Sequence, residues 1–509
     1  MAMGVRRLLG TAAILALMML LPGTAGAARH APPRGLQVEV VSCLTGSPGV
    51  AKRLGCGTVA GAGERDSALA NVTALAVDSS RMSVYATGKR NSSLAQLALG
   101  PGRRLAFGAC FTGDLFGRSC PALSGASHNA VEAPISWPNA AAVSPDGRSL
   151  YVVSGAGFHS SMVARFARDP AGGALAYRGC LTGDLDAGPS SPAACETLPG
   201  ATSRGYGSGI YEASGVAIAA DGRRVYVTGS GDASLTALDR DPASGALSFA
   251  GCLSSNRTTR ACAHIGDGHA PVLGGLGSPW ISPDGRYLYA AASGGDTVSA
   301  FALGGASPLR FAGCISSRDD RRPCRQVGRP EGVAAALVRS SGLAGSPDGR
   351  FLYAGSRLGR IVALRRNRAT GRLSLASCLS SRREDRHRCA RTPASPQTNN
   401  GSHNVSLLAG ARTPLLGAGG RTMLVPVGSL DGLAELRRDP RSGALRYRGC
   451  VTGDRRLSTA GDGPCQPLRT RTGNGVDSGL SHLTALAPGP GGLVYAAAWG
   501  DATVSLLRP

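Results

Sequence analysis

The fourteen cysteines are the residues of this chain best suited to chemistry, and their spacing decides which chemistry. They fall into seven close pairs: Cys43 and Cys56, Cys110 and Cys120, Cys180 and Cys195, Cys252 and Cys262, Cys314 and Cys324, Cys378 and Cys389, and Cys450 and Cys465. No pair has the CxxC spacing of a zinc site, and an interval of nine to fourteen intervening residues recurs seven times, so nearest-neighbour disulfides are expected rather than a metal site. There is no GxSxG elbow, HExxH, P-loop or EF-hand loop, which leaves serine hydrolysis and zincin chemistry without support, and no cofactor is expected. The remaining reactive groups are mostly cations. The formal charge is +23, and Lys52 and Lys89 are the only lysines. Arginines gather in the cysteine loops, and Arg321, Arg322, Arg382, Arg383, Arg386 and Arg388 form the candidate binding set for an anionic cell-envelope polymer or a protein partner. Asp319, Asp320, Glu384 and Asp385 interrupt these clusters, so a solvated surface is the competing interpretation. With aromatics at 5 %, base stacking is poorly supplied and sequence-specific nucleic-acid binding is not expected.

The elements that must position these residues repeat along the chain. SPDGRSLYV from Ser144 recurs as ADGRRVYV from Ala220, SPDGRYLY from Ser282 and SPDGRFLY from Ser346, with weaker copies from Asp78, Gly417 and Pro488. A proline and an Asp-Gly between apolar runs is a hairpin signal. A second turn follows, as RDPAGGAL from Arg168, RDPASGAL from Arg240, NRATGRL from Asn367 and RDPRSGAL from Arg438, and leads to a strand ending at the first cysteine of a pair. Four antiparallel strands per unit of roughly 60–75 residues describe a propeller blade, and seven units describe an all-β, seven-bladed β-propeller. The C-terminal run GLVYAAAWGDATVSLLRP stops one strand short of a blade, and LQVEVVSC (Leu36 to Cys43) has the missing character. It is expected to pair beside Ala502 to Leu507 and close the ring. Ahead of it, Arg6 and Arg7, an apolar stretch from Leu8 to Leu21 and the sequence Ala25, Gly26, Ala27 read as a signal peptide over 1–27. The expected organisation is therefore that leader and one propeller domain over 28–509. The protein is expected to be secreted or cell-surface, without a transmembrane segment in the mature chain, and monomeric.

The SPDGRxLY and RDPxSGAL turns resemble those of the lactonase-like seven-bladed β-propeller family, which includes 6-phosphogluconolactonase and carboxymuconate cyclase-type enzymes. A closer likeness is to secreted, cysteine-paired bacterial relatives whose blades end in GC(I/L/V)S-type runs. The resemblance covers about Leu36 to Pro509 and implies the fold. It implies lactone hydrolysis as one activity, although no catalytic motif of the family carries across residue by residue.

A propeller's usual ligand site is the axial depression where the loops leading into the innermost strands converge. Counting nine residues back from the turn aspartate gives Trp137, Glu212 and Arg339 in three blades, and His482 holds a nearby place in the seventh. A lactone hydrolase needs a base or a metal to activate water and a cation near the developing oxyanion, roles that Glu212, His482 and Arg339 could fill. Glu132 with His128, and His403 with Asn404, are further candidates. The leading expectation is a binding or interaction module, with lactone hydrolysis as the alternative.

Overall fold

The computed structural model describes residues 36–63, 66–117, 119–155, 161–266, 272–305, 307–318, 323–327, 337–382, 385, 389–393, 407–458 and 464–509. Seven separate sheets are arranged as the blades of a β-propeller, and the regular helix among the described residues includes a single seven-residue α-helix, Pro48–Leu54. With blades counted from the first complete one, the innermost strands (A) are Val72–Val77, Pro138–Val143, Ala213–Ile218, Trp280–Ile281, Ser340–Gly345, Leu415–Leu416 and Leu483–Pro488. Strands B, C and D follow outward in antiparallel order, as in Ser83–Gly88, Ser93–Leu99 and Leu105–Asp114 of blade 1.

Each blade has five strands rather than the expected four. The extra strand (E) follows the second cysteine and runs parallel to D, as Ala122–Ser127 does beside Leu105–Asp114 and Arg325–Gln326 beside Leu309–Ser316. All seven disulfides form as paired in the sequence, and each ties strand D to the residues that open strand E. The covalent tie holds two to seven residues of a connection against the sheet edge, which blunts an otherwise open edge. The ring closes as expected, with a small shift in register: Glu39–Thr45 pairs antiparallel with Thr503–Arg508, Cys43 opposite Ser505 and Thr45 opposite Thr503. Among the described residues no helix is long and apolar enough to cross a membrane.

The repeated turn motifs prove to be fasteners between blades. The arginine that ends strand C reaches into the preceding blade and donates from Nε to the tyrosine of its strand B, and from Nη2 to the aspartate of its first turn. Arg240 does so with Tyr151 (2.9 Å) and Asp146 (2.8 Å), and Arg366 with Tyr289 (2.9 Å) and Asp284 (2.7 Å). Arg168 joins Tyr85 and Asp78, and Arg438 joins Tyr353 and Asp348. Each tyrosine hydroxyl in turn donates to a glycine carbonyl in the second turn of the arginine's blade, as Tyr151 does to Gly245 at 2.7 Å. Gly245 has φ +73°, and a Cβ there would lie 2.5 Å from Ser149 Oγ of the neighbouring blade. Both facts require glycine in the SGAL turn. The four tyrosines are fully buried, and the apolar clusters combine strands of adjacent blades, so the core is a ring of blade-to-blade interfaces.

Candidate functional site at the axial mouth

The residue that leads into strand A lies in the left-handed region in all seven blades. The set is Asn71, Trp137, Glu212, Gly275, Arg339, Gly410 and His482, with φ between 51° and 73°. Isolated bridges at Leu276 and Ala411 mark the same point in blades 4 and 6. Left-handed backbone costs a non-glycine residue of order 1 kcal/mol, least for Asn, so five side chains are kept here against a local preference for glycine.

A second ring is stitched to the first. In five blades the residue just past strand B donates its backbone N–H to the carbonyl of the first-ring residue of its own blade: Lys89 to Asn71, Ser230 to Glu212, Ser293 to Gly275, Arg357 to Arg339 and Trp499 to His482, at 3.0–3.4 Å. A third set, two residues into each blade, ties neighbouring blades at the axis. Thr484 donates to the Val72 carbonyl (2.9 Å), Thr73 to that of Pro138 (2.9 Å), Asn139 to that of Ala213 (2.9 Å) and Ser214 to that of Leu276 (2.6 Å). Arg412 holds the corresponding place in blade 6.

The mouth is chemically uneven. In blades 1 to 3, Lys89 Nζ donates to Asn139 Oδ1 at 3.2 Å. Burial lowers the Lys89 pKa, while the charge of Glu212 opposes that shift. Ser230 Oγ donates to Glu212 Oε2 at 3.2 Å. In blades 5 and 6, burial and then repulsion from Arg357 lower the pKa of Arg412. At blade 7, His482 Nδ1 lies 3.1 Å from Ser481 Oγ and 3.5 Å from Asp431 Oδ1, and its ring meets Trp499 edge-on at 5.6 Å. Burial pushes the Asp431 carboxyl up, against the hydrogen bond and charge of His482. Trp137 and Trp499 are 47 % and 40 % exposed, unusual for the largest apolar side chains.

Glu212, Arg339 and His482 thus hold equivalent positions in blades 3, 5 and 7, which are not neighbours. Among the described residues no hydrogen bond or ion pair joins them to one another. The His128 and Phe116 rings meet at a tilt, with centroids 4.6 Å apart, and Glu132 adopts φ +61° in the same loop. His403 and Asn404 lie outside the described residues, as do Arg321, Arg322, Arg383, Arg386 and Arg388 of the arginine set. Arg382 is half-buried. Asp385 does not interrupt a surface cluster: it is buried and takes a two-pronged contact from Arg360, at 2.6 and 3.0 Å. Among the described residues no group of three or more His, Cys, Asp or Glu is disposed to hold a metal.

Sequence reasoning passed over Lys89, Asn139, Arg357, Arg412 and Trp499. A signal for two of them was in plain view, since Lys89 is one of two lysines and Trp499 one of three tryptophans. Their place past strand B was hidden because the count back from the turn aspartate reaches only the strand-A ring.

The sequence matches no family model and no curated protein. Among solved structures the chain is similar to a putative 6-phosphogluconolactonase from Bacteroides uniformis, at 17% identity and TM-score 0.48, over 74% of this chain and 83% of that one. It is also similar to the periplasmic gluconolactonase PpgL of Pseudomonas aeruginosa, at 18% identity and TM-score 0.47, over 74% and 84%. A third is a protein from Lactobacillus plantarum, at 13% identity and TM-score 0.48, over 78% and 86%.

Proposed function

We propose that this protein is an exported binding propeller whose axial mouth takes an anionic carbohydrate. The observation that carries this is the pairing of two exposed tryptophans, Trp137 and Trp499, with the cations Lys89, Arg339 and Arg357 in two stitched rings. Indole faces stack on the C–H faces of a sugar ring, and ammonium or guanidinium groups hold its carboxylate or phosphate by charge-assisted hydrogen bonds. Asn139 and Ser230 supply neutral partners for hydroxyl groups. Seven disulfides suit an oxidising compartment.

The test uses tryptophan fluorescence and calorimetry of the mature protein titrated with glucuronate and galacturonate, with glucose as neutral control. The acids should quench and glucose should bind at least tenfold more weakly. Trp137→Ala and Trp499→Ala should each weaken acid binding about tenfold, roughly 1.4 kcal/mol. Equal binding of glucose, or unchanged affinity in both variants, would overturn the proposal.

Hydrolysis of a bound lactone is the second reading. It is favoured by Lys89 and Glu212, a cation and a candidate base, being near enough for the carboxylate charge to oppose the effect of burial on the ammonium. Turnover of a lactone panel, with and without divalent metal and lost in Glu212→Ala and Lys89→Ala, would establish it. Absence of turnover beside intact acid binding would leave the binding role alone.

A further inference from the structure

A second charged site lies away from the axis, between blades 4 and 5. A groove of about 930 Å³ is lined by Arg325 of strand E in blade 4 and by Arg350, Arg365, Arg368 and Arg372 of blade 5, with Thr370 among them. These five arginines are exposed, and no acidic residue is among the described residues that line the groove. The sixth arginine, Arg366, is itself buried and committed to its pair with the partly exposed Asp284. Arg350 and Arg365 lie over the ring of Phe351 at 5.8 and 5.3 Å, which limits the freedom of both heads. Arg325 and Arg372 also line a smaller cavity of about 160 Å³ that runs inward over Ala312, Gly313 and Cys314, so the groove deepens into an apolar slot. The second cysteine of blade 4 is the neighbour of Arg325, and the Cys314–Cys324 disulfide ties that arginine's backbone to strand D.

We infer that this groove binds a linear acidic polysaccharide. Five exposed guanidinium groups lining one groove favour a chain carrying repeated oxyanions, since each fork matches a carboxylate or sulfate in a two-pronged contact. The hydroxyls of Thr370 and Ser374 and the amide of Asn367 are partners suited to sugar hydroxyls. A polysaccharide is favoured over nucleic acid because the aromatic rings of the strand behind the groove, Phe351 and Tyr353, are fully buried and offer no face to a base. This site is separate from the mouth and does not depend on it.

The experiment runs in the Trp137→Ala/Trp499→Ala background, so that the mouth contributes little. Binding of polygalacturonate is followed by calorimetry and affinity electrophoresis at 50 and 500 mM NaCl, with neutral dextran and double-stranded DNA as comparison polymers. Arg325→Glu/Arg372→Glu should weaken polygalacturonate binding by at least tenfold. Arg223→Glu/Arg286→Glu, the same change in charge at exposed turn arginines outside the groove, should weaken it less than threefold. Arg325→Lys/Arg372→Lys, which keeps the charge and loses the fork, should fall between the two, with circular dichroism unchanged in all three. Equal losses in the groove and control reversals would reduce the effect to net charge and overturn the site. Tighter binding of DNA than of polygalacturonate at equal charge would overturn the ligand class.

Discussion

Replacing Arg240 by methionine tests whether the repeated turn motifs hold the ring together. The Arg240 side chain is wholly buried, while that of Asp146 is 31 % exposed. Its guanidinium makes four kinds of contact at once: to Tyr151 Oη, the Gly222 carbonyl, the Asp146 carboxylate and Ser149 Oγ, all within 3.2 Å. Methionine keeps much of the stem's packing and removes every one of them. Breaking a buried pair by deleting one partner costs about 3–5 kcal/mol, and the partial exposure of Asp146 argues for the lower end, ~3 kcal/mol. At ~2.1 cal/mol/K per residue over a folded unit of about 475 residues, the unfolding entropy is near 1 kcal/mol/K, so Tm should fall by ~3 °C. Differential scanning calorimetry reads this directly, with Arg223→Met, at an exposed turn position, as a control expected to stay within ~0.5 kcal/mol. The chain contains a natural comparison at the junction of blades 3 and 4, where Leu303 ends strand C in place of arginine and Asp221 of the facing turn is exposed. Making Asp146→Asn together with Arg240→Met should therefore recover part of the loss, because no uncompensated carboxylate remains. Stability of the single variant equal to that of the unaltered protein would refute the fastening role.

The same junctions set the acid limit of stability. At Asp146 and Asp284 burial opposes ionisation, but the serine hydroxyl, backbone N–H and arginine contacts outweigh it and hold each carboxyl below the ordinary value. A lowered folded pKa gives stability that is present above the unfolded value, near 3.9, and is lost as pH falls through the folded one. Unfolding midpoints should drop steeply below about pH 4, less so in Arg240→Met. Asp501 has the opposite sign: burial raises it to about 6 despite N–H bonds from Asp477, Gly479 and Ser481. Its contribution is greatest below about pH 4 and lost as pH rises through 6, so Asp501→Asn should flatten the slope between pH 4 and 6 measured by urea titration. Removing one disulfide as Cys252→Ala/Cys262→Ala should cost about 2–3 kcal/mol by the loop-entropy relation, read as a lower urea midpoint. Deleting Glu39–Thr45 exposes the edge of Thr503–Arg508, and light scattering should show association where the full chain gives a single species.

What the sequence made legible was whatever recurs locally. The seven units, the nearest-neighbour cystines and the closing strand follow from signals contained within about fifteen residues of chain, where turn chemistry and loop closure act directly. The fifth strand was illegible because in four blades it is two residues long and carries no alternation; it forms because the disulfide presents it to strand D. The Arg–Tyr–Asp fasteners were visible as motifs but not as contacts, since Arg240 and Asp146 lie 94 positions apart and only the ring brings them together.

The axial mouth shows how a repeated fold separates stability from function. Where the blades agree, at the SPDG and SGAL turns, agreement is explained by packing: Gly245 has no room for a side chain, and Arg240 fills a buried socket. Where they disagree at a position of fixed geometry, packing explains nothing. The seven left-handed residues at the start of strand A share one backbone conformation that suits glycine, yet only two are glycine; the rest are Asn, Trp, Glu, Arg and His. If stability alone were at issue, replacing Trp137, Glu212 or His482 with glycine should relieve backbone strain of order 1 kcal/mol per site and raise Tm slightly. A gain in stability joined to a loss of acid-sugar binding in Trp137→Gly is the outcome that a ligand-bearing mouth requires, while Glu212→Gly, which removes a negative charge, should bind the acid sugar equally or more tightly. A gain in stability with binding untouched in Trp137→Gly would assign that side chain no part in it.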